Sequence, residues 1–337
     1  MHRHRMPTKS LSGYQSPSAA VSPAHHCAIC RSANVERVPY DNHERSLNAA
    51  QLRHQLGAML HGAGITGEWL SQRLLFSPVH DIVHCLQCGY GRYERAFAMG
   101  ELERYYGRRY FLAGGLPPEQ WDDFGYIDRH FKTRGQWAFV SPHLELNSKL
   151  RMLDIGAAAS RMSRLIKRHL GDRVECSVVE PGDGWTGYYR HHGIRLAGRF
   201  FPCADDQQYH YVHTSHWLEH VDRLEPVLQG LRARTITGGL CFIEVPNCDN
   251  TYFARAFPDA PHIHFFTAAS LCLAMRHHGF ETVQVSECAM PNPEYFHFRR
   301  RTDRLTADER LLVEKTEASI DHVPGGSLLR GLFRAVG

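Results

Sequence analysis

No apolar run in this chain approaches the ~18 residues that a helix needs to span a membrane, so a helical membrane protein is not expected. Charge of one sign is also missing. Lys and Arg number 39 against 35 Asp and Glu, a formal net charge of +4 with the 24 histidines neutral. A field that weak makes no electrostatic case for nucleic acid as a partner. The first 24 residues are rich in His, Arg, Ser and Pro and lack the apolar h-region of a secretory signal; they read as a disordered arm. The expected location is cytoplasmic, where thiols stay reduced. The ten cysteines are then core residues or metal ligands rather than disulfides. There is no internal repeat. What is present is a globular mix, 43% hydrophobic and 22% charged. Its 337 residues are enough for a full α/β domain and an accessory domain.

Composition and spacing divide the chain into five stretches: the arm (1–24), a cysteine-bearing subdomain (25–95), a helical lid or linker (96–147), an α/β domain (148–302) and a helical tail (303–337). In the second stretch, 46–61 has helix-favouring composition. In the third, 99–111 reads as a short helix, and Trp121, Phe124, Ile127 and Phe131 fall at helical spacing within 118–145, with Pro117 and Pro118 suited to a helix start. From 151 onward short β-type runs alternate with helical ones. Strands are expected at 151–155, 174–180, 209–215, 240–245, 281–287 and 294–299. Helices are expected at 160–169, 185–192, 223–235, 268–278 and, past the last strand, 306–320. Alternation of this kind predicts right-handed crossovers and a parallel sheet. The last two strands are close enough in sequence to be antiparallel.

Open parallel sheets bind ligands at the carboxyl ends of their strands. Asp154-Ile155-Gly156 ends the first strand, and small residues there let backbone approach a ligand. Glu180 ends the second strand, 24 residues after Gly156, where a carboxylate can accept both ribose hydroxyls of a nucleoside. The loop between, Gly156-Ala157-Ala158-Ala159-Ser160, is poor in the glycines that cradle a pyrophosphate. It disfavours a dinucleotide and suits a nucleoside without phosphates. Read alone, it is also compatible with a plain strand-helix turn.

These stretches resemble, in order, those of class I S-adenosylmethionine-dependent methyltransferases. The resemblance is carried by LDIGAAASRMSRLI (153–166), VVEPGDG (178–184), HTSHWLEHVDRLEPVL (213–228), GGLCFIEVPN (238–247) and HIHFFTAASLCLAMRHHGF (262–280). CLQCGYGRYERAFAMGELERYYGRRYF (85–111) resembles, more narrowly, a bacterial group with an N-terminal zinc-ribbon-like segment that includes deoxysugar C-methyltransferases. The resemblance implies a Rossmann-like methyltransferase sheet, mostly parallel with an antiparallel last strand. It also implies that S-adenosylmethionine contacts Asp154, Gly156, Ala157, Ala158, Glu180, Pro181 and His216. The family's loop has glycine where this chain has Ala158 and Ser160. If those positions require positive φ, each costs ~1 kcal/mol or more. An acidic residue at the third strand end is not obvious; Asp205 and Asp206 are the nearest.

Cys27-x-x-Cys30 and Cys85-x-x-Cys88 can supply four thiolates to a structural zinc ion, although 54 residues separate the pairs. His25, His26, His80 and His84 are alternative ligands. A degenerate ribbon with buried thiols is the plainer alternative. His216, Glu219 and His220 follow the fourth strand at its carboxyl end. Methyl transfer from a sulfonium requires the acceptor in line and its proton removed, work that a histidine suits. In the C-methyltransferases resembled, a Glu-His pair in this motif is implicated in proton abstraction; Glu219 and His220 match it. Tyr106 and Tyr110 lie in the lid stretch, where aromatic rings can close over a ligand. The expected acceptor is a small molecule or sugar unit. The rival readings are a catalytically silent, zinc-stabilised interaction protein and an RNA or protein methyltransferase.

Overall fold

In a computed structural model, which describes residues 26–40, 80–94, 100–109, 114–122, 131–248, 262–288 and 326–337, the apolar runs become strands of two sheets. The small sheet is antiparallel: β1 (Val35–Tyr40), β2 (His80–Cys85), β3 (Gly91–Tyr93) and, joining its edge, β9 (His264–Phe265). The large sheet contains β4 (Leu150–Ile155), β5 (Val174–Val179), β6 (Arg195–Gly198), β7 (Tyr209–Ser215), β8 (Thr235–Pro246), β10 (Phe280–Cys288) and β11 (Leu328–Ala335). Its order is β10-β11-β8-β7-β4-β5-β6. The strands from β6 to β8 are parallel neighbours, while β11 runs antiparallel to both β8 and β10. The expected mostly parallel sheet with an antiparallel last strand is what forms.

Helices cover both faces. The helix α3 (Arg161–Leu170) buries Met162, Leu165, Ile166 and Leu170, and α5 (Leu224–Arg234) buries Leu224, Val227, Leu228 and Leu231. Both sets follow the i, i+3, i+4 spacing of one apolar face, and each large side chain removed from water contributes about 1.5–3 kcal/mol. α2 (Phe131–Val140), α3 and α4 (Thr186–His191) share one core with the inner sheet residues. A second core gathers α5, α6 (Ala268–His277) and Cys27, Cys85 and Cys88, and a third joins Ile82, Tyr93, Leu102, Tyr105 and Phe265. A capping box of Thr267 and Ser270 starts α6, and the Thr267 hydroxyl donates to the carbonyl of Cys88 at 2.7 Å. That bond ties the second cysteine turn to the large domain.

The edge next to β8 departs from expectation. Residues 328–335 were assigned to a helical tail, yet they form β11 inside the sheet. Two arginines and a glycine give this stretch a polar look, but Arg330 is 1% exposed because it is ion-paired with Glu244 on β8. Gly331 is required where a Cβ would stand 2.4 Å from the Phe333 ring. The stretch 99–111 contains α1 (Glu101–Arg104), continued by a π-helical turn over Tyr105–Arg109. Within 118–145 the described residues give a short turn at Pro118–Gln120, then α2, and then another short turn at Ser141–His143. The expected helices at 46–61 and 306–320, the strand at 294–299, the arm and Tyr110 lie outside the described residues.

Candidate active site

A cavity of about 540 Å³ opens at the carboxyl ends of β4, β5, β6 and β7. Asp154, Gly156, Ala157, Ala158, Glu180 and Pro181 line one end, and His216, His220 and Tyr106 line the other. Every residue expected to touch the cofactor therefore faces one space. The backbone explains the first end. Gly156 has φ 69°, and a Cβ there would meet Trp217 at 2.7 Å. Ala158 and Ser160 also take positive φ, 42° and 44°, so the glycine-poor loop does carry the expected strain. Two tyrosines of α4 hold it: Tyr189 donates to the Ala158 carbonyl at 2.6 Å, and Tyr188 to that of Ala159 at 2.7 Å.

Two carboxylates stand behind this loop. Asp154 accepts hydrogen bonds from Ser160 and Ser163, and burial pushes its carboxyl up to about 7 despite them. Glu180 accepts the backbone N–H of Ala158 at 2.8 Å and of Gly182 at 2.9 Å, bridging two loops. Burial raises it too, against those two bonds. With two of its lone pairs engaged, the Glu180 carboxylate keeps others for a ligand. Asp205 is not part of this wall; it is held by Arg195 and Tyr209 at 2.7 Å each. Arg199, Phe200, Phe201 and Pro202 line the cavity beyond β6 instead.

At the other end β7 stops at Ser215, and His216 turns the chain with φ 52°. The short turn Leu218–His220 then drives Glu219 inward to 0% exposure. Three imidazoles surround its Oε1: His216 Nδ1 at 3.2 Å, His220 Nε2 at 3.7 Å and His262 Nε2 at 3.9 Å. Burial alone would raise the Glu219 carboxyl, but these histidines hold it down at about 2. The Tyr106 ring lies 5.7 Å from that of His220, so α1 and its π turn do supply a wall of the cavity.

Sequence reasoning missed a second buried carboxylate here. Glu244 of β8 receives Arg330 at 2.7 Å, Gln136 at 2.9 Å and Ser215 at 2.9 Å. Lys132 Nζ lies 3.6 Å and His216 Nε2 3.7 Å away. Burial pushes Glu244 up, yet Lys132, Arg330 and His216 more than offset it and hold the carboxyl below its ordinary range. The signal available was a lone Glu within the apolar run GGLCFIEVPN.

The four cysteines also converge. Cys27 Sγ lies 3.6 Å from Cys88 Sγ, Cys30 Sγ lies 3.5 Å from Cys85 Sγ, and all four sulfurs lie within 4.8 Å of one another. Thiolates bonded to a tetrahedral zinc at about 2.3 Å stand about 3.8 Å apart, so the donor set and its spacing fit that ion. Of the histidines weighed as alternatives, His84 contacts Glu36 at 3.0 Å, and His25 lies outside the described residues. The cluster is far from idle in the fold. Tyr90 donates to His264 Nδ1 at 2.7 Å, and His264 Nε2 donates to the Val221 carbonyl at 2.9 Å. Among the described residues, no helix is long and apolar enough to cross a membrane.

Residues 131–285 match a family model described as a methyltransferase domain. No curated protein matches the chain. Among solved structures, it is similar to the 1,6-didemethyltoxoflavin-N1-methyltransferase of Burkholderia thailandensis, at 17% identity and a TM-score of 0.46, covering 75% of this chain and 97% of that one. It is also similar to the geranyl diphosphate C-methyltransferase of Streptomyces coelicolor A3(2) (12%, TM-score 0.42, 70% and 97%). A third is an S-adenosylmethionine-dependent methyltransferase of Mesorhizobium loti (14%, TM-score 0.42, 60% and 99%).

Proposed function

We propose, from the match of residues 131–285 to a methyltransferase-domain model, that this chain uses S-adenosylmethionine to transfer a methyl group to a small-molecule or sugar-unit acceptor held at the His216–His220 end of the cavity. The observation that carries the reading is the shared cavity: one space of about 540 Å³ joins an end lined by Asp154, Gly156, Ala158 and Glu180 to an end lined by His216 and His220. S-adenosylmethionine, when bound, supplies a methyl group on a sulfonium sulfur. The chain does the rest. Glu180 is the acceptor for ribose hydroxyls, and the Gly156–Ala158 backbone gives the space for close approach. Asp154 fixes the start of α3 through Ser160 and Ser163 and lines the floor.

At the acceptor end, His216 is the group suited to take a proton. Its Nδ1 rests against Glu219 and its Nε2 against Glu244, so an imidazolium is met by a carboxylate on each side. This arrangement follows the logic of a base oriented by a carboxylate. His220, the residue that sequence reasoning favoured, lies farther from Glu219, with its ring tilted at 59° beside that of Tyr106; it shapes the acceptor pocket. Tyr106 and Tyr110 are assigned to the lid. Zinc is assigned to Cys27, Cys30, Cys85 and Cys88 as a structural ion. Four thiolates leave no open position on the metal, and its role is to hold the two cysteine turns together.

The test is transfer of labelled methyl from S-adenosylmethionine to a panel of hydroxylated acceptors, including nucleotide-linked sugars. Wild-type protein is expected to label at least one class, and His216→Gln to lower kcat by about 10²–10⁴-fold with little change in KM for the cofactor. Labelling of RNA or protein in preference to small molecules, or a His216→Gln variant of unchanged kcat, contradicts the assignment.

A further inference from the structure

The carboxylate of Glu219 poses a problem that proton transfer alone does not resolve. Its side chain is 0% exposed, yet neither oxygen accepts a well-formed hydrogen bond. Burial of an ionised carboxylate without bonds to its lone pairs is costly unless a cation or metal compensates. The surroundings are not apolar. Three imidazole nitrogens converge on Oε1, and those of His220 and His262 lie with it inside a sphere of mutual distances no larger than 4.8 Å. Donor atoms bonded to one transition-metal ion at about 2.1 Å and about 109° apart stand about 3.4 Å from each other. The contacts of 3.7 Å and 3.9 Å are too long for hydrogen bonds, and slightly wide of that spacing. A contraction of a few tenths of an ångström brings both of these carboxylate–imidazole contacts to it.

We propose that Glu219, His220 and His262 form a binding site for a single divalent transition-metal ion at the acceptor end of the cavity. One carboxylate and two imidazoles form the donor set that suits zinc, iron, cobalt or nickel better than calcium or magnesium. Three protein ligands leave coordination positions open, and His220 stands in the cavity wall. The ion therefore takes as its exchangeable ligands the oxygens of the acceptor. An acceptor with two adjacent oxygens, a hydroxyl beside a carbonyl or beside a second hydroxyl, can occupy two such positions at once and be fixed in orientation. The inference rests on the methyltransferase reading for the identity of that acceptor, not for the existence of the ion site.

Each ligand has support behind it. The Glu219 carbonyl accepts the N–H of Ile263 at 2.7 Å, which pins the loop bearing His262 against the turn bearing Glu219. The His220 and His262 rings lie 4.9 Å apart at 57°. His216 Nδ1, at 3.2 Å from Glu219 Oε1, is placed to orient the carboxylate ligand from outside, as partners of metal ligands do. The exposed trio Asp122, His191 and His192 also offers three donors, but its members pair with one another and with the Trp121 carbonyl, which makes it a comparison site.

The experiment uses the full chain with its cysteine cluster loaded with zinc and its cofactor cavity saturated with S-adenosylhomocysteine. Cobalt(II) is then titrated and followed by its visible d–d absorption. The expected result is one further equivalent bound, without the thiolate charge-transfer band that a cysteine site gives. His262→Ala and Glu219→Gln should each weaken cobalt binding by about 100-fold or more, beyond the loss typical of a supporting residue, while His191→Ala leaves it unchanged. S-adenosylhomocysteine affinity, read separately by calorimetry, reports whether each variant is folded. If Glu219→Gln does not fold, His262→Ala carries the test. Absence of the further equivalent, or cobalt binding unchanged in His262→Ala, overturns the proposal. Failure to bind S-adenosylhomocysteine with cobalt still bound overturns the methyltransferase reading and leaves the ion site standing.

Discussion

The two ends of the cavity each rest on two buried carboxylates, and the two pairs are treated in opposite ways. At the β4–β5 end, Asp154 and Glu180 are held by hydroxyls and backbone amides, and burial raises both. At the β7–β8 end, Glu219 and Glu244 are ringed by histidine, lysine and arginine, which overcome burial and keep both ionised. On the proposed reading, the first pair exchanges hydrogen bonds with a ligand's hydroxyls and the second sustains positive charge beside the acceptor, so that one cavity separates recognition from charge handling.

That contrast can be broken from either side. The largest effect is expected at Glu244. Replacing it with Ala leaves Arg330 and Lys132 buried without their carboxylate, which costs about 3–5 kcal/mol and should appear as a drop of roughly 10 °C in Tm. Glu180→Ala should instead spare most of the stability and weaken S-adenosylhomocysteine binding by about 1.5–3 kcal/mol, roughly 10- to 100-fold by calorimetry. If Glu244→Ala spares Tm while Glu180→Ala lowers it, the two ends have been assigned the wrong way round.

Another effect concerns pH. Asp154 holds its proton in the folded chain up to about 7 but releases it near 3.8 when unfolded. The folded state thus binds more protons between those values. Its contribution is fully present below 3.8 and is lost as pH rises toward 7, at about 1.4 kcal/mol per pH unit. In denaturant titrations of protein without cofactor, Asp154→Asn should remove that downward slope; an unchanged slope rejects it. The smallest effect is at the strained loop. Ala158→Gly relieves a φ of 42° and should add up to ~1 kcal/mol of stability without lowering cofactor affinity. A loss of stability would mean that the loop is not strained.

The first end was legible in the sequence and the second was only half so, for a physical reason. Asp154-Ile155-Gly156, Glu180 and the alanine loop lie at strand ends, where short-range pattern fixes position, and Asp154, Gly156, Ala157, Ala158 and Glu180 reach the cavity. The cysteine pairs were legible despite 54 intervening residues, because two C-x-x-C turns name their own partner. The charge network was not legible. Glu244 and Arg330 meet from strands 86 residues apart, and a lone Glu or Arg in an apolar run carries no mark of its partner. For the same reason β11 read as a tail: its polar residues look solvated until the partner strand is known. His216 and His220 were both singled out and both line the cavity, but which of them lies nearer Glu219 depends on ring placement, which sequence spacing does not determine.

The most direct measurement is calorimetric titration of the wild-type chain and of Glu180→Ala with S-adenosylhomocysteine. The account predicts a single site in the wild type with a dissociation constant on the order of micromolar, weakened about 10- to 100-fold in the variant. No binding to the wild type at millimolar ligand, or equal binding by the two proteins, would contradict it.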